Sequence, residues 1–258
     1  MNDCRTKYPL VLVHGLNSKL GAPLSGFGRV PDDLRAHGAA VYVTTQDAVG
    51  TVEGNARQLA VEIEQICVRA GADKVNLIAH SKGGVEARYA ISALGCGTRV
   101  ASLSMLSTPN RGLHTVSWLA HSPLFDLLAL PTDCYWRLRG DDAPDFAAAV
   151  RALAPGPMDV FNRANPDDPE VYYQSWSAAL DGARSDRVMA FLGLVFSLFD
   201  DATDGLVSPD SARWGEHRGT LTGLSHRALC DVCRRDTGGF DVRAFYRALA
   251  RGLAEKGF

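Results

Sequence analysis

Residues 76–89 read NLIAHSKGGVEARY. An apolar run ends at Ala79, a serine stands at position 81, and Gly83 and Gly84 open a stretch of helix-forming residues. A serine in that place either caps a strand-to-helix turn or is a nucleophile raised on a strained elbow. The elbow leaves little room for side chains two residues to either side of the nucleophile. Ala79 and Gly83 meet that requirement, so the pattern is A-x-S-x-G, the smallest step from the commoner G-x-S-x-G.

Outward from this stretch, Leu10–Val13, Val41–Thr45, Val75–Ala79 and Val100–Leu106 are short apolar or β-branched runs. Continuous rather than alternating apolarity suits strands buried on both faces, as in a parallel sheet. Between the second and third runs lies EGNARQLAVEIEQICVRAG, with Leu59, Ile63, Ile66 and Ala70 on one helical face and Gly71 as its stop. Another helix is expected after Ser81, closing near Gly95. The N-terminal half therefore reads βαβαβ and calls for a doubly wound α/β sheet.

The rhythm breaks over residues 113–157, where SWLAHSPLFDLLAL, DDAPD and an alanine-rich stretch read as an insertion of helices. VYYQSW at 171–176 resumes strand character. DVRAFYRALARGLAEKG closes the chain as a helix with Val242, Phe245, Leu249 and Leu253 on one side. With no internal repeat or low-complexity linker, residues 1–258 read as a single domain, a length one large core accommodates.

Composition narrows the function. A net charge of -2, with acidic and basic residues interspersed, leaves no electrostatic footprint for nucleic acid. The longest apolar stretch, 189–199, is well short of the roughly 20 residues of a membrane-spanning helix. The cysteines are scattered and expected to be reduced. Cys230 and Cys233 form an isolated CxxC, read as buried thiols or a local disulfide ahead of a metal site. The opening MNDCRTKYPLVLVHG lacks the basic start and apolar stretch of a signal peptide, which leads to an expectation of a cytoplasmic protein.

A serine hydroxyl attacks only when a base takes its proton, and the base must be oriented by a carboxylate. With the chain order serine, acid, histidine, the candidate bases are His217 and His226. The acids before them are Asp181, Asp186, Asp200, Asp201, Asp204 and Asp210, and position alone does not choose among them. Two N–H donors are needed for the oxyanion, one from the residue after the nucleophile, Lys82, and one from the turn after LVLVHG, most simply Leu16. His14, in that turn, reads as holding it by hydrogen bonds.

YPLVLVHGL (8–16), AHSKGGVEARY (79–89), VASLSMLSTPNRG (100–112), the FN at 161–162 with VYYQSW, TDGLVS (203–208) and LSH (224–226) run in order along the chain. Together they resemble the bacterial true lipases of the Pseudomonas, Burkholderia and Proteus group. That resemblance implies an α/β-hydrolase fold, a mostly parallel sheet with helices on both faces, hydrolysis of acylglycerols and other carboxylic esters, and a helical lid. It matches Ser81 to the nucleophile, Asp204 to the acid, His226 to the base, and Leu16 and Lys82 to the oxyanion-hole positions. Residues 113–157 take the place of the lid, whose Trp118, Leu119, Leu124, Phe125, Leu127 and Leu128 are candidates to line an acyl groove, with an ordinary core helix as the alternative.

The departures carry expectations too. Members of the group commonly hold a structural calcium through an aspartate two residues beyond the histidine; here that residue is Ala228, so no cofactor is expected to be required, with a structural calcium as the alternative that the resemblance leaves open. The disulfide cysteine that some members carry six residues after the acid is Asp210 here. Lys82 replaces a glutamine, histidine or methionine and reads as a solvated variant. Many members are secreted, which conflicts with the N-terminus. The rival readings are a non-lipolytic carboxylesterase or other acyl hydrolase, acting for instance on polyester or lactone, and a non-catalytic binding module on the same fold.

Overall fold

A computed structural model of the chain describes residues 3–19, 26–114, 116, 122, 124–181, 186, 189, 203–237 and 239–258. Six strands, β1 (Leu10–Val13), β2 (Val41–Val43), β3 (Val75–His80), β4 (Val100–Leu106), β5 (Tyr172–Ala179) and β6 (Glu216–Thr222), form one sheet in the order β2-β1-β3-β4-β5-β6. Every neighbouring pair is parallel. The apolar runs of β1, β3 and β4 are buried along their whole length, which is why their sequences do not alternate.

The connections supply the helices. Thr51 caps α2 (Val52–Ala70) by accepting from the Gly54 N–H, and the helix buries Leu59, Ile63 and Ile66 before ending at Gly71. With α3 (Lys82–Ser92) it covers one face of the sheet, in a core that includes Val11, Val13, Leu77, Leu103 and Met105. The other face carries α1 (Val30–Ala36) and the last helix, Val242–Glu255, around Leu10, Leu12, Ile78 and Leu106. That last helix buries Val242, Tyr246, Leu249 and Leu253, and Asp241 caps it by accepting from the Ala244 N–H.

Two of these elements, α1 and β6, have no counterpart among the expected ones. The seven-residue α1 is too short for a hydrophobic period to show. As an edge strand, β6 alternates exposed and half-buried residues, EHRGTLT, and so carries no apolar run. The middle of the chain holds α4 (Leu124–Leu138), α5 (Phe146–Arg151) and α6 (Pro155–Ala164). The chain then runs through β5 and the short α7 (Pro209–Ala212) to β6 and the last helix, α8. Among the described residues, no helix is long and apolar enough to cross a membrane.

Strand order places the site. The chain winds from β1 outward to β2, then returns to β3 on the other side of β1. Loops leaving the carboxyl ends of β1 and β3 therefore diverge and open a crevice between them. The β1 loop carries Leu16, and the β3 turn carries Ser81.

Candidate active site

Ser81 has φ 55° and ψ -132°, a conformation that a residue with a side chain rarely adopts. The turn is held on both sides: its N–H donates to Leu106 O at 3.0 Å, and its carbonyl accepts from the Gly84 N–H at 3.0 Å. Space is as tight as the elbow requires. A Cβ on Gly83 would stand 2.4 Å from His14 O, and one on Gly15 would stand 2.8 Å from Ser81 Cβ. Neighbouring segments thus approach the Ser81 turn closely enough that a side chain at position 15 or 83 would force the structure apart.

His226 and Asp204 come from loops after β6 and β5. His226 Nδ1 donates to Asp204 Oδ2 at 2.7 Å, and the His226 N–H donates to Asp204 O at 2.8 Å. Asp204 is fully buried, and its Oδ1 accepts from the N–H groups of Leu206 at 3.0 Å and Val207 at 2.8 Å. The carboxyl group is therefore hydrogen-bonded through one oxygen and fixed in orientation before it meets the imidazole. Donation from Nδ1 leaves Nε2 as the basic nitrogen.

Ser81, His226 and Leu16 line one cavity of about 460 Å³. Its other walls are mostly apolar, with Phe125, Phe146, Val150 and Leu153 on the helical insertion side and Leu206 and Val207 beside Asp204. Behind the imidazole lies His80, with ring centroids 4.5 Å apart and its Nε2 donating to His226 O at 3.0 Å. Burial, and then the neighbouring His226, push the His80 pKa well below its ordinary value, so it stays neutral and serves as a donor. His14 Nδ1 donates to Gly15 O at 3.1 Å, and burial lowers its pKa as well.

No protein-family model matches the chain. It is 31% identical over 249 residues to a triacylglycerol lipase of Vibrio cholerae, covering 82% of this chain and 76% of that protein. The chain belongs to the lipase family. Triacylglycerol lipases of Burkholderia plantarii and Pseudarthrobacter phenanthrenivorans are each 38% identical over 112 residues, 42% of this chain. The matched segment spans about a third of the length of those two relatives, 31% and 34%. Among solved structures, a metagenomic carboxyl esterase superposes with a TM-score of 0.81 at 18% identity, covering 96% of this chain and 76% of that one. Staphylococcus hyicus lipase superposes with a TM-score of 0.78 at 15% identity, covering 97% and 96%. These likenesses show the α/β-hydrolase fold.

In this lipase-family chain the other candidate acids and base lie elsewhere. His217 sits on β6 with its Nδ1 3.1 Å from Ser175 Oγ, Asp210 faces Arg213 at 3.5 Å, and Asp186 is bound to Arg227. Asp200 and Asp201 lie outside the described residues, as do Trp118 and Leu119. Of the remaining groove candidates, Phe125 lines the cavity. Leu124, Leu127 and Leu128 do not: they are 66%, 64% and 69% exposed, because their spacing puts them on the face of α4 opposite Phe125 and Ala129.

Lys82 corrects the expectation of a solvated side chain. It is fully buried, and its Nζ is bonded to Glu86 one turn along α3. The Glu86 carboxylate also accepts from Asn55 Nδ2 at 2.8 Å and Gln46 Nε2 at 3.2 Å. A cation at a helix N-terminus is unfavourable alone, and the buried carboxylate offsets it. Cys230 and Cys233 are free thiols rather than a disulfide: Cys230 is buried, with its pKa pushed up to about 12 by desolvation, and Cys233 is exposed. His80 was not among the candidates, although its place next to Ser81 was a usable signal.

Proposed function

We propose that the protein is a serine ester hydrolase that cleaves acylglycerols and other carboxylic esters through an acyl-enzyme. The observation that carries this reading is one apolar cavity bordered by both the strained Ser81 and a histidine whose Nδ1 is bonded to a buried aspartate. His226 Nε2 takes the Ser81 proton as the hydroxyl oxygen attacks the acyl carbonyl. The N–H groups of Leu16 and Lys82 hold the oxyanion, and removing one such donor costs about 2.7–4 kcal/mol in comparable sites. His226 then protonates the leaving alcohol. Water, deprotonated by the same nitrogen, releases the acid and restores Ser81.

The apolar walls favour an acyl chain over a polar acyl group. We read the helical insertion within residues 113–157 as a lid, because Phe125, Phe146, Val150 and Leu153 close the cavity from that side. Its outward leucines, 124, 127, 128, 130 and 138, form an exposed apolar face suited to a lipid-water interface. Rates on a p-nitrophenyl ester series, dissolved and emulsified, test this. Ser81→Ala should lose all but background hydrolysis, and long emulsified esters should be preferred. A Ser81→Ala variant as active as the unaltered protein overturns the reading, and preference for short dissolved esters with no gain at an interface favours a non-lipolytic carboxylesterase.

A further inference from the structure

The residues on either side of His226 bind one and the same carboxylate. Ser225 Oγ donates to Asp186 Oδ2 at 2.9 Å. Arg227 donates from Nε to Oδ2 at 2.6 Å and from Nη2 to Oδ1 at 2.7 Å, a bidentate fork. Asp186 is only 8% exposed, and its Oδ1 also accepts from the Met189 N–H at 3.2 Å. Ser225 Oγ accepts from the Ala228 N–H at 3.3 Å and so closes the turn that follows. The histidine is thereby pinned from both sides to a group outside its own loop.

A calcium ion does not fit the same task here. The ion takes about six to eight oxygen ligands. The methyl of Ala228 offers none, and both Asp186 oxygens are engaged by a guanidinium whose charge would repel the ion. Among the described residues, no group of three or more His, Cys, Asp or Glu is placed to hold a metal.

We propose that Arg227 and Asp186 are positioning residues whose ion pair, with Ser225, holds the histidine loop so that His226 stays on Asp204 without a bound metal. The planar fork fixes direction as well as distance, which a point charge does not. The inference rests on the serine-hydrolase reading, and its test separates the two.

The experiment measures kcat and KM on p-nitrophenyl butyrate, fluorophosphonate labelling and thermal unfolding for the unaltered protein, Arg227→Met, Arg227→Lys and Asp186→Asn. Each is run with a chelator and with added calcium. For the unaltered protein, chelator and calcium should each change kcat by less than about twofold. Arg227→Met and Asp186→Asn should lower kcat by about 10- to 100-fold with KM nearly unchanged, the signature of a misplaced catalytic group. Arg227→Lys should recover part of the loss. If Arg227→Met fails to fold, Arg227→Lys and the chelator arm on the unaltered protein decide. Variants that keep full kcat, or an unaltered protein that a chelator inactivates and calcium restores, overturn the proposal. An unaltered protein that neither hydrolyses the ester nor labels overturns the serine-hydrolase reading and this inference with it.

Discussion

Ser81 stands between β3 and α3 in the middle of the sheet, flanked by β1 and β4. His226 stands beyond β6, the edge strand, in a loop that continues to the last helix. The first position takes its backbone conformation from adjacent residues, a buried strand, a strained turn and a helix start, and is packed against His14 O and bonded to Leu106 O. The second borrows its geometry from distant residues. Asp204, His80 and Asp186 each hold part of the histidine loop, and Arg29 holds Asp231 further along it through a 2.8 Å ion pair. The contrast teaches that the Ser81 turn is tied through backbone atoms of the neighbouring strands, whereas the His226 loop at the sheet edge is tied through the side chains of distant residues.

That contrast can be broken. The largest expected effect is on the base: Asp204→Asn should lower kcat by up to about 10⁴-fold while leaving the fold intact, as in other triads with the wrong histidine tautomer. Asp200→Asn is expected to be near neutral, and equal losses in the two variants refute the assignment of the acid. The elbow, by comparison, should respond mainly in stability. Lys82→Met leaves Glu86 buried without its counter-charge, and denaturant unfolding should show a loss of about 3–5 kcal/mol. Adding Glu86→Gln should restore much of it, since the amide removes the uncompensated charge and keeps an acceptor for the buried Asn55 Nδ2. A smaller loss of about 1–3 kcal/mol is expected for Gly83→Ala, where a methyl meets backbone that cannot move aside cheaply.

The smallest effect concerns pH. His80 is held neutral in the fold with its pKa well below the ordinary value, so the unfolded chain binds a proton that the native one does not as pH falls below about 6.5. Its contribution is present above that value and drains away towards the depressed native pKa. Unfolding free energies measured from pH 7 downward should therefore slope less steeply in His80→Gln, by at most about 1.4 kcal/mol per pH unit. An unchanged slope removes His80 from the account.

The strands β1, β3 and β4, the helix 52–70 and the C-terminal helix are legible because burial on both faces, or on one stripe, imposes a period on the residues themselves. The edge strand β6 has no such constraint and left no trace. Among the site residues, Ser81 was legible from its small neighbours. The choice of Asp204 over Asp181, Asp186 or Asp210 was not: it came from family likeness, and in space it is the 2.7 Å bond to His226 that separates them.

By itself, the sequence determined the parallel sheet and the elbow, since the apolar runs and the small residues that these require are written in short contiguous stretches. Only the tertiary structure decided what becomes of the charges. Lys82 is four residues from Glu86 in any helix, yet whether that pair is solvated or sealed depends on Asn55 and Gln46 arriving from elsewhere. Arg227 and Asp186 are 41 residues apart and meet only because two loops converge at the sheet edge. Burial is a property of how elements pack, and the energetics of a charge follow burial more than sequence position.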